Sequence, residues 1–81
     1  MSQIVLERNT NLSTKKVLEK AKKTFIDKHG LTLEDESSCC LRFKGGGGFV
    51  YITIQEEEDQ TKVEIKSREW ADITKKFIQN L

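Results

Sequence analysis

The stretch Leu41-Arg-Phe-Lys-Gly-Gly-Gly-Gly-Phe-Val-Tyr-Ile-Thr-Ile54 decides how the chain is read. Two alternating apolar runs flank four consecutive glycines, the pattern of an antiparallel hairpin. On the first arm Cys39, Leu41 and Phe43 alternate with Cys40, Arg42 and Lys44. On the second, Val50, Ile52 and Ile54 face one way and Phe49, Tyr51 and Thr53 the other. A period of two sends alternate side chains to opposite sheet faces, so each arm has an apolar side and a mixed side. The glycines are expected to form a mobile tip, or a place where another chain approaches closely.

The flanking segments extend this sheet. Leu31-Thr-Leu-Glu34 alternates as a further strand and runs into an acidic turn, Glu34-Asp-Glu-Ser-Ser38. After the polar turn Gln55-Glu-Glu-Glu-Asp-Gln60, Val63 and Ile65 alternate with Lys62, Glu64 and Lys66. Near the N-terminus Ile4 and Leu6 mark a short strand that Asn9-Thr-Asn11 should break. Two helices complete the chain. Ser13 is a good N-cap, with Leu12 and Val17 at the spacing of a hydrophobic staple. Val17, Leu18, Ala21, Phe25 and Ile26 form an apolar stripe, and Gly30 ends the helix at the C′ position behind Lys28 and His29. Ser67 is expected to cap the last helix, whose stripe is Trp70, Ile73, Phe77 and Leu81, widened by Ile78.

The order β-α-β-β-β-β-α predicts an α+β fold, a single domain over residues 1–81 with both helices on one face of a mostly antiparallel sheet. Ile4, Leu6, Leu33, Leu41, Phe43, Val50, Ile52, Ile54, Val63 and Ile65 are expected to fill the layer between. Arg42, Lys44, Phe49, Tyr51, Thr53, Lys62, Glu64 and Lys66 are expected on the other face. That uncovered face is where a binding site would lie, with Arg42, Lys44, Phe49 and Tyr51 as its candidate residues.

Composition excludes several classes. The 81 residues carry fourteen basic and thirteen acidic side chains, so no global field points to nucleic acid or membrane. The charges segregate: residues 1–33 carry +4, residues 34–60 carry −5 and residues 61–81 carry +2. Lysines at 15, 16, 20, 22, 23 and 28 surround the first helix, read here as a solvated back more than an anionic-surface helix. Met1-Ser-Gln-Ile-Val-Leu-Glu-Arg8 lacks the basic and apolar regions of a signal peptide. No apolar run approaches the roughly 20 residues that span a bilayer. With two cysteines, the expectation is a cytoplasmic protein, Cys39 in the core and Cys40 a surface thiol.

Sites of chemistry are scarce. The glycine run enters a strand and Lys44 precedes it, whereas a phosphate loop leads into a helix and carries Lys-Ser/Thr. Gly46, Gly48, Phe49 and Val50 match part of the central RNA-recognition signature, but Gly45, Gly47 and Ile52 stand where it needs a basic and two stacking residues. His29 lacks partners for a nucleophile or metal set, and the Glu56–Asp59 turn is too short and unpatterned for calcium. No catalytic residue, cofactor or metal is expected.

Ile4-Val-Leu-Glu-Arg8, the Leu12 start, the helix through Ala21, His29-Gly30-Leu31, Leu41-Arg-Phe43, Lys62-Val-Glu-Ile65 and a closing helix ending in Leu81 form a whole-chain pattern. It resembles the polyhydroxyalkanoic acid system proteins, a small granule-associated family. The layout is also similar to the helix-on-curved-sheet topology of TATA-binding and Bet v 1-like folds. These resemblances imply a fold and carry no catalytic motif. The functional expectation is a non-enzymatic module that associates with a second copy or a protein partner. Its alternative is a single-stranded nucleic-acid binder using the exposed sheet face.

Overall fold

The computed structural model describes residues 3–81. Met1 and Ser2, part of the stretch read against a signal peptide, lie outside the described residues. The elements run β1 (Gln3–Thr10), α1 (Thr14–Lys22), a wider π-type continuation (Lys23–Lys28), β2 (Thr32–Glu36), β3 (Cys40–Gly45), β4 (Gly48–Glu56), β5 (Thr61–Arg68) and α2 (Ala71–Gln79). The strands form one antiparallel sheet in the order β1-β5-β4-β3-β2. The predicted α+β order is therefore the observed one. β2 to β5 form a meander, while α1 carries the chain from one sheet edge to the other. Among the described residues no helix is long and apolar enough to cross a membrane.

Alternation makes the inner face. Leu41, Phe43, Val50, Ile52, Ile54, Val63 and Ile65 are buried from the sheet side, and Val17, Ala21, Phe25, Phe77 and Ile78 from the helices. Phe25 joins the two layers, its ring 5.3 Å from Phe43 on β3 and 5.2 Å from Phe77 on α2. Such aromatic pairs contribute about 0.5–1.5 kcal/mol beyond their buried area. Ile4, Leu6 and Leu33 are half-buried, because β1 and β2 are the sheet edges and the helices cover them less fully.

The helix termini are pinned by polar contacts. Ser13 Oγ accepts from the Lys16 N–H at 3.3 Å, as expected of an N-cap. Gly30, at φ +70°, closes the first helical segment: its own N–H donates to the Ile26 carbonyl, the bond of an αL ending, and the Leu31 N–H reaches back to the Phe25 carbonyl across the wider π-type turn. At the far end of α2 the Arg8 guanidinium donates to the Ile78 and Gln79 carbonyls at 3.2 and 2.8 Å. A cation at that negative helix end ties α2 to β1.

Several local expectations are corrected. β1 continues through Asn9 and Thr10, because β5 is long enough to pair with all of it. Glu34, Asp35 and Glu36 belong to β2, with a bulge between Leu33 and Asp35 instead of a turn beginning at Glu34. β3 starts at Cys40, where the Ser37 N–H bonds the Cys40 carbonyl at 2.9 Å. Cys39 is thereby left exposed in a bend, not in the core, and it is joined to Cys40 as a vicinal disulfide. Ser67 does not cap α2. It lies buried in β5, 3.0 Å from the Thr74 hydroxyl, which donates to the Trp70 carbonyl at 2.7 Å. Trp70 itself occupies the N-cap position, after Glu69 takes the left-handed conformation at φ +71°.

The glycines form no loose tip. Gly45 pairs with Gly48, and Gly46 and Gly47, at φ +56° and +79°, make a two-residue turn. Positive φ at both central positions is the type I′ arrangement that matches strand twist. Trp70 Nε1–H donates to the Gly45 carbonyl at 2.8 Å. Its ring lies so near Gly46 that a Cβ there would come within 2.8 Å of it. The close approach expected at the glycines is real, but it comes from the chain's own tryptophan.

Candidate functional site

The outer sheet face is built row by row from strand register. Arg42 on β3, Tyr51 on β4 and Lys66 on β5 stand directly opposite one another. The next row towards the glycine turn is Lys44, Phe49 and Arg68. Each half-buried aromatic side chain of the central strand is thus flanked by an exposed cation on both neighbouring strands. The four predicted residues, Arg42, Lys44, Phe49 and Tyr51, are brought together.

The rings are ordered against each other. Phe49 and Tyr51 are stacked, with centroids 4.3 Å apart and planes inclined by 26°. The Arg42 guanidinium carbon sits 4.6 Å from the Tyr51 centroid, within cation–π range. Rotamers of both rings are therefore constrained by neighbours before any ligand arrives.

Charge is graded along the face. Moving away from the glycines, the row after Tyr51 is Cys40, Thr53, Glu64 and Glu7. Beyond it, Lys62 is held by Glu7 at 3.1 Å. The hydrogen bond to Glu7, aided by the carboxylate's charge, raises the Lys62 pKa above its ordinary value. Lys62, expected among the outer-face cations, is thus committed to a carboxylate. At the β2 edge Asp35 stands opposite Arg42, and Glu34 lies 3.9 Å from Lys44 between two exposed side chains. Positive charge concentrates at the glycine end, where Lys44, Arg68, Arg42 and Lys66 outnumber Glu34 and Asp35.

Arg68, Glu34, Asp35 and Glu7 stand on this face beyond the residues expected there. Assigning Ser67 as a helix cap ends the strand at Lys66 and hides Arg68, although the alternation of Lys62, Glu64 and Lys66 continues through it. Glu34 follows inward-facing Leu33 on the outer side, but nothing in the residue types marks it as the partner of Lys44.

Comparison of the chain with models of known protein families and with curated proteins finds no match.

Proposed function

We propose that the protein binds a single-stranded nucleic acid across the glycine end of its outer sheet face. The supporting observation is the interleaving of ring and charge: Phe49 stacked on Tyr51, with Lys44, Arg68, Arg42 and Lys66 directly opposite them. Unpaired bases stack on such rings at about 1–3 kcal/mol each, and backbone phosphates pair with the cations alongside. Duplex recognition is a poorer fit, since paired bases offer their edges in grooves and not their faces.

Association with a protein partner through this face, the first expectation from the sequence, is supported less well. A partner would have to desolvate Lys44 and Lys66 beside the rings, and lysine is depleted from interface cores. The acidic row of Glu64 and Glu7 confines a polyanion to the half of the face nearest the glycines. No catalytic group enters the reading. It describes a binding module.

The test is a titration of labelled single-stranded oligonucleotides at several salt concentrations. Four cations meeting about one phosphate each predict a slope of log Kobs against log salt near −3. Absence of binding to any DNA or RNA oligomer at low salt sinks the reading.

A further inference from the structure

We infer that the stack on the outer face ends in a subsite for one guanine base, an inference that rests on the nucleic-acid reading above. Arg42, Tyr51 and Phe49 form a series, each in ring-contact distance of the next. Two residues before Phe49, in the turn that leads into β4, comes Gly47, and on β3 the position after Lys44 is Gly45. No side chain of the turn can therefore cover Phe49 from that direction. The depression there has a volume of about 430 Å³ and is lined by Glu34, Lys44, the Gly45–Gly48 backbone, Phe49 and Tyr51. That is within the roughly 300–1,000 Å³ of small-ligand sites. A planar base seated in it continues the series by one ring.

The polar lining selects among bases. Glu34 enters the depression from the β2 bulge, its carboxylate 3.9 Å from the Lys44 ammonium. Both side chains are exposed, so this pair is loose and a ligand can separate it at little cost. An ionised carboxylate accepts two hydrogen bonds and donates none. Guanine carries two adjacent donors on its Watson–Crick edge, the N1–H and the exocyclic amine, matching the two carboxylate oxygens. Adenine and cytosine set a donor beside an acceptor, and thymine and uracil hold one donor between two acceptors. Lys44, released from Glu34, is left to meet the adjoining phosphate. The acid on β2 and the cations on β3 to β5 then orient the strand, base edge towards β2 and phosphates over the sheet centre.

The experiment uses fluorescence anisotropy at low salt with thymidine oligomers of about eight nucleotides, a length within the usual footprint of such modules. One internal position carries guanine, inosine or adenine. The guanine oligomer is expected to bind about tenfold tighter than the adenine one, as for a bidentate base contact. Inosine, lacking the exocyclic amine, should fall between them. Glu34→Gln, a change at an exposed position, should remove the difference between guanine and adenine. Equal affinity for guanine and adenine, or a preference that survives Glu34→Gln, overturns the subsite and leaves the binding reading standing. Failure of every oligomer to bind overturns both.

Discussion

At one end of β4 the chain reverses within two residues, Gly46 and Gly47, under the Trp70 ring; at the other it takes residues 57–60. The longer turn is closed by a Glu57 N–H to Gln60 carbonyl bond of 2.8 Å and is exposed throughout. The first turn is clamped from behind by an indole hydrogen bond, a ring and the β5 backbone. The second is hydrated and acidic. The aromatic rings and their four flanking cations lie beside the clamped turn, and the acidic row and the acidic turn residues lie towards the hydrated one. A stacking surface needs its rings held at set spacing, which only the clamped end provides.

The strongest way to break this contrast is to disturb the clamped turn itself. A Cβ at Gly48 would run into the Arg68 carbonyl and the Glu69 side chain. Gly48→Ala should therefore cost about 3 kcal/mol by urea denaturation, as overpacking against backbone does. Asp59→Ala in the opposite turn should stay within about 0.5 kcal/mol. Comparable losses at both sites would show the two turns to be equally restrained. Next in size, Tyr51→Ala should weaken oligonucleotide binding by about 2 kcal/mol, whereas Thr53→Ala, in the acidic row itself, should change it little. Trp70→Phe keeps an aromatic ring of smaller reach and removes the N–H that satisfies the Gly45 carbonyl. A loss of about 1 kcal/mol is expected, read as a Tm lower by roughly 4–8 °C; an unchanged Tm would dismiss the clamp. Smallest is a gain: Glu69→Gly relieves a left-handed residue and should stabilise by about 0.5 kcal/mol, net of the added unfolded-chain entropy.

The layered fold was legible because its evidence is local and periodic. Val50-Tyr-Ile-Thr-Ile54 alternates cleanly, Ser13 and Gly30 mark a helix at both ends, and Phe25 and Phe77 fall on apolar stripes. The mixed face followed from the same alternation, so Arg42, Lys44, Phe49 and Tyr51 were placed together in advance. What escaped depends on contacts between distant segments. Ser67 has the chemistry of a cap, but β4 and Thr74 keep it in the strand, and Arg68 gains its place on the face as a result. Trp70 falls within the helical spacing, and nothing local says that its indole reaches Gly45. The bulge between Leu33 and Asp35 leaves no mark in the residue types around it.

The pairing of the first strand with the fifth has a consequence for how the molecule assembles. β1 meets β5 at sequence separations from 65 residues, Gln3 with Arg68, to 51, Thr10 with Thr61. The other ladders of the sheet join neighbours in the chain. Loop closure makes the long-range ladder the slow one to form. The meander from β2 to β5 should therefore condense first, with both aromatic rings and all four flanking cations already in register. During synthesis β1 waits without this partner until β5 has emerged, then docks along the finished edge. In native-state hydrogen exchange the β1 amides should open at lower free energy than those of β4. The stacking surface would thus outlast the loss of its outermost strand.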